Sequence, residues 1–86
     1  MNQTISTKEI AIAILNYNGE HFLRQFLPSV IQNSSHAEII VIDNASTDES
    51  VICIEQSFPS VKLIKLNENF GFCGGYNKGI KYIDKP

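Results

Sequence analysis

Two runs of β-branched residues limit what this chain can become. Ile10 to Leu15 reads IAIAIL and Ile39 to Ile42 reads IIVI. Neither alternates with polar residues, which is the pattern of strands buried on both faces in a parallel sheet flanked by helices. A third run, Val61 to Leu66 (VKLIKL), is more mixed, as in a strand nearer a sheet edge. Helical periodicity fills the gaps. Phe22, Leu23, Phe26, Leu27, Val30 and Ile31 form one stripe on a helix expected over Glu20 to Asn33. Pro28 interrupts that stretch, and lacking an N–H it must kink the helix or start a second one. The next helix is expected to begin at Ser46, because Ser46 and Glu49 have the spacing of a capping box. Val51, Ile54 and Phe58 then face inward, and Pro59 ends it. A third helix is expected near Gly74, with Tyr76, Ile80 and Ile83 on one side. The order β-α-β-α-β-α implies an α/β fold with a parallel sheet and right-handed crossovers.

With 86 residues, the chain suits one small domain or part of a larger one. Its net charge of −2 and singly scattered Lys and Arg give no electrostatic footprint for nucleic acid, and no polybasic patch suggests a membrane surface. The polar N-terminus, MNQTISTKE, has no apolar signal core, and residues 1–8 are expected to be a disordered or extended tail. The longest apolar run is too short to span a bilayer, so no membrane insertion by this segment is expected. Cys53 and Cys73 match no zinc spacing and read as reduced thiols in or near the core, as in a cytosol. His21 and His36 read as surface residues. No metal-ligand spacing and no nucleophile elbow is present.

The unusual residues follow the strands. Ligands of open parallel sheets bind beyond the carboxyl ends of the strands. Asn16-Tyr17-Asn18-Gly19 follows the first strand, Asp43 to Asp48 the second, and Asn67 to Gly75 the third, all on one edge of the sheet. Each cluster has an ordinary reading too. Tyr17 can pack on the first helix, Asn18-Gly19 can be a turn, Asp43 can bond loop amides, and Ser46 can be a helix cap. Gly71, Gly74 and Gly75 are harder to explain without a ligand, because glycines before a helix let the backbone approach one closely and helix amides receive phosphate. Their spacing fits neither the dinucleotide-binding nor the P-loop signature.

Three segments together resemble a known family. Ile12 to Asn18, Val41 to Asp48 and Asn67 to Ile80 look like the opening of the family 2 glycosyltransferases, with their GT-A fold. The third segment is similar to the N-x-G-F-x-G-G-x-N-x-G pattern of the rhamnosyltransferase-like subgroup. The likeness covers roughly Glu9 to Ile83.

The resemblance implies a Rossmann-like half of a GT-A fold, three-layered α/β/α, with strand order 3-2-1. It implies that residues 9–86 form the nucleotide-sugar-binding part of an inverting glycosyltransferase. Such an enzyme moves a sugar from a nucleotide-diphospho-sugar to an acceptor hydroxyl, in cell-surface polysaccharide or glycan synthesis. Tyr17 would lie beside the base. Asp43 and Asn44 hold the place of the family's Asp-Asp or Asp-Asn pair, facing base and ribose. The Gly71, Gly74 and Gly75 loop and Asn77 would line ribose and diphosphate, and Asn18, Ser46 and Asn67 complete the candidate set. Mg²⁺ or Mn²⁺ is expected in the full-length family member, on an Asp-x-Asp motif that follows the third helix. No cation and no catalytic residue is expected on these 86 residues. The expected donor is of the UDP or dTDP type, and the expected location is cytoplasmic or membrane-peripheral. The edge of strand 10–15 is expected to pair with a second copy. A non-catalytic nucleotide-binding or self-associating module is the alternative.

Overall fold

The three apolar runs become three parallel strands in a computed structural model that describes residues 10–83. They are β1 (Ile10–Asn16), β2 (Ala37–Asp43) and β3 (Lys62–Lys65). The sheet order is β1-β2-β3, with Asn16 beside Asp43 and Asp43 beside Lys65. The expected 3-2-1 order and parallel sense are therefore observed. The helices are α1 (Glu20–Asn33), α2 (Ser50–Ser57) and α3 (Gly71–Ile80). The tail expected over 1–8 lies outside the described residues.

Alternation along β2 splits the core into two layers. Ile39 and Val41 pack with Leu23, Leu27, Ile54 and Val61 on the α1–α2 face. Ile40 and Ile42 pack with Ile64, Leu66, Phe70 and Tyr76 on the α3 face. The result is a three-layer α/β/α arrangement. Helix α3 therefore lies on the face opposite α1 and α2. The outer edge of β1 has no strand partner among the described residues. Near its end the Leu15 N–H donates to the Tyr76 hydroxyl at 3.3 Å.

Several sequence expectations are corrected. Only β2 is buried along nearly its whole length, with Glu38 half-buried; β1 is half-buried with Ile10 55% exposed, because a strand at the sheet edge has a neighbour on one side only. On α1, Leu23 and Leu27 are buried but Phe22 and Phe26 stand in solvent, since the apolar stripe is wider than the surface that β1, β2 and α2 offer it. Pro28 neither ends α1 nor starts a new helix; it is exposed, so the bond its missing N–H forfeits lies on the solvent side. Helix α2 begins at Ser50, not Ser46, because Ser46 is captured by Asp43 as described below. Helix α3 begins at Gly71, three residues before the expected start, and Ile80 is exposed. Its buried positions are Gly75 and Gly79. A Cβ on Gly79 would sit 2.5 Å from the Ile42 side chain, so the bare backbone lets α3 lie directly on β2. Cys53 is buried, but Cys73 is exposed on α3 rather than near the core. His21 and His36 are exposed, as expected.

Candidate functional site

All three polar loops meet at the carboxyl end of the sheet, tied by side chains rather than by strand pairing. Asn16 closes β1 and Asp43 closes β2, side by side in register. The Asp43 carboxylate is 2% exposed. Its Oδ1 accepts from Asn16 Nδ2 at 2.9 Å and from the Ser46 hydroxyl at 2.7 Å, and its Oδ2 accepts from the Ser46 amide at 2.9 Å. That local capture bends the chain through Ala45 at a φ of 63°, a left-handed conformation uncommon for alanine, and holds Ser46 away from α2.

Ser46 also ties the first loop to the second. Its Oγ accepts from the Asn18 amide at 2.8 Å and from Asn16 Nδ2 at 3.2 Å. Asn18 has a φ of 52°, and its Oδ1 accepts from the amides of Thr47 at 2.7 Å and Asp48 at 3.2 Å. Asp48 then serves two helix starts, accepting from the Glu20 amide of α1 at 3.2 Å and the Ser50 amide of α2 at 2.9 Å. Partial desolvation pushes the Asp48 carboxyl up, but hydrogen bonds from Ser50 and Glu20 outweigh it and hold the group below the ordinary aspartate value. The Ser50 hydroxyl is close enough to contribute to that lowering, yet it is buried without a partner at full hydrogen-bonding geometry.

Asn44 ties the second loop to the third. Its Oδ1 accepts from the Phe70 amide at 2.9 Å, while Nδ2 donates to the Gly71 carbonyl at 3.0 Å and to Asn69 Oδ1 at 3.1 Å. Asn69 Oδ1 in turn accepts from the Gly71 amide at 2.7 Å. Gly71 has a φ of 76°, a conformation suited to glycine.

The candidate residues therefore fall into two sets. Asp43 and Asn44 are buried and bonded inward, and Ser46 is half-buried with its hydroxyl fully engaged. Gly75 is buried under α3, where a Cβ would lie 2.8 Å from Leu15 Cδ1 and 2.9 Å from Asn44 Nδ2. Tyr17, Asn18, Asn67, Gly71 and Asn77 are exposed, and Gly74 is half-buried. Tyr17 lines an apolar cleft of about 460 Å³ with Ile14, Phe22, Phe26 and Val30. Asn67 lies apart from the clasped loops, in a polar cleft of about 520 Å³ with Lys65, Lys78 and Tyr82 at the end of β3. Asn16 and Asn69, which the sequence placed in the loop clusters, and Tyr76, which it placed on the third helix, stand outside the candidate set and are its structural partners. A polar residue directly after a fully apolar run was the available signal for Asn16.

The cluster is built to hold a surface in shape. Among the described residues no group of three His, Cys, Asp or Glu side chains comes together to hold a metal ion. The thiol of Cys53, the buried cysteine, is pushed up by burial, which disfavours the reactive thiolate. No helix among the described residues is long and apolar enough to cross a membrane.

No curated protein matches this chain. The family model described as Glycosyl transferase family 2 matches residues 11–86, a span that takes in all three clasped loops. The chain belongs to glycosyl transferase family 2.

Proposed function

We propose that this chain holds the nucleotide of a nucleotide-diphospho-sugar, of the UDP or dTDP type, for an inverting transfer of its sugar to an acceptor hydroxyl. Cell-surface polysaccharide or glycan synthesis is the process this reading favours. The observation that carries it is the exposed Tyr17 ring standing beside loops that are already locked together by Asn16, Asn18, Asp43 and Ser46. A flat aromatic on a rigid support can stack on a base at little ordering cost. Tyr17 and Asn18 form the base end of the site. The open turn at Gly71, the first-turn backbone of α3 near Gly74 and Asn77 offer the ribose and diphosphate end, while Asn67 stands apart at the end of β3. Asp43, Asn44, Ser46 and Gly75 stand behind this surface. The described residues bring no three His, Cys, Asp or Glu side chains together for a divalent cation.

Calorimetry with UDP tests the reading. Tyr17→Ala is expected to weaken binding by roughly 5- to 10-fold, the low end of the stacking range of about 1–3 kcal/mol. Equal affinity for the two proteins contradicts it.

A second reading, self-association, rests on the phenylalanines that share the Tyr17 cleft. Phe22 and Phe26 are stacked at 5.9 Å with their rings 9° apart, exposed beside the unpaired edge of β1. Exposed apolar patches next to open strand edges draw chains together. Sedimentation at high micromolar concentration is expected to show a dimer or larger species, reduced by Phe26→Asp. A single 9.6 kDa species for the unaltered chain contradicts this.

A further inference from the structure

The Asn44 carboxamide behaves as an extra peptide group. It accepts from the Phe70 amide and donates to the Gly71 carbonyl, so it bonds the start of α3 beyond the point where the Leu66 amide bonds the Asp43 carbonyl. Both Nδ2 protons are engaged, one by Gly71 and one by Asn69. Its place between the strands exists because Gly75 has no Cβ to fill it. The connection after β2 leaves toward one face of the sheet and that after β3 toward the other, so Asn44 plugs the gap where the chain parts. A carboxylate at this position would set one oxygen, in place of Nδ2, against both the Gly71 carbonyl and the Asn69 Oδ1 with no proton for either contact, while its other oxygen would still accept from the Phe70 amide.

We propose that Asn44 is a positioning residue: its carboxamide sets the Asn69–Gly71 turn, and through that turn the start of α3, without touching the base itself. The proposal rests on the nucleotide-binding reading for its consequence, since a displaced turn weakens any nucleotide that lies against it. A base-reading residue acts differently, by changing which base is preferred. The titratable groups on the surrounding elements are Tyr17, Asp43, Lys65, Glu68, Cys73, Tyr76 and Lys78, and none bonds the Asn44 carboxamide.

The test uses amide NMR spectra of the 86-residue chain carrying Asn44→Asp. Without nucleotide at pH 7, the Phe70, Gly71 and Gly75 resonances are expected to move while those of Asn18 and Thr47 stay. At about pH 4, close to the aspartate pKa, a protonated carboxyl can donate to the Gly71 carbonyl again, and the moved resonances are expected to return part of the way. UDP and CDP at pH 7 are both expected to bind about five-fold more weakly or worse, with their ratio held within about two-fold. Unmoved turn resonances overturn the proposal, and so does a UDP-to-CDP ratio that changes by more than about five-fold. If Asn44→Asp does not fold, Gly75→Ala displaces the same carboxamide with Asn44 intact and is expected to move the same resonances. If the unaltered chain does not respond to UDP, the nucleotide reading fails, while the nucleotide-free spectra still decide what Asn44 does.

Discussion

Asp43→Ala is expected to remove roughly 3–5 kcal/mol of folding stability, from the loss of charge-assisted bonds and the orphaning of a buried donor. The carboxylate takes three hydrogen bonds at 2.7–2.9 Å from Asn16 and Ser46 in a site that is 2% exposed. Without it the Ser46 amide has no partner, and Asn16 Nδ2 keeps only the Ser46 hydroxyl. A chain of this size has little stability to lose, since single domains hold about 5–15 kcal/mol in all. Asp43→Asn is expected to cost less, roughly 1–3 kcal/mol, because one oxygen remains while the new amide faces the Ser46 N–H. Urea unfolding followed by circular dichroism measures both. An Asp43→Ala protein within about 1 kcal/mol of the unaltered chain would mean that the clasp is not a structural element.

Gly79→Val is expected to be destabilising on a similar scale, at least about 3 kcal/mol, through overpacking. Any Cβ there meets three Ile42 atoms at 2.5–2.7 Å, and Ile42 is fully buried on the central strand. Gly79→Ala is expected to cost about 1–2 kcal/mol, because the gain in helix propensity offsets part of the strain. The sign of the coupling identifies the cause. Ile42→Ala removes all three contacting atoms, so the double variant Ile42→Ala with Gly79→Ala is expected to be more stable than the sum of the single effects predicts, by about 0.5–3 kcal/mol. Strict additivity in the same unfolding experiment would place the clash elsewhere.

Patterns that depend on local physics were legible before any coordinates. The IAIAIL and IIVI runs read as strands because only a sheet between helices covers such residues, and β1 and β2 form there. The alternation with helices gave the parallel sense, and the family resemblance gave the strand order. Features that depend on which side chain captures which group were not legible. Ser46 and Glu49 have capping-box spacing, yet Asp43 three residues upstream takes both the Ser46 amide and its hydroxyl, so α2 starts four residues later. The glycines at 71, 74 and 75 read as loop by propensity. All three lie inside α3; a side chain at Gly75 would collide with Leu15 and Asn44, and close packing there overrides the low helix propensity of glycine. The stripe on α1 showed which residues share a face. It did not show that β1 and α2 cover Leu23 and Leu27 and leave Phe22 and Phe26 bare. At the site, the sequence placed the three loops on one edge correctly. That Asp43 and Asn44 turn inward, leaving Tyr17 outward, depends on hydrogen bonds spanning 25 to 30 residues, which spacing does not reveal.

The central claim is that the clasped loops at the carboxyl end of the sheet receive a nucleotide. Amide chemical-shift mapping of the 86-residue chain during titration with UDP and dTDP tests it most directly. The account predicts that the shifted resonances cluster at Tyr17, Asn18 and Gly71 to Gly75, with the stronger shifts beside Tyr17. Shifts confined to the opposite end of the strands, at Asn33 to His36 and Pro59 to Ser60, or no saturable shift at all, would contradict it.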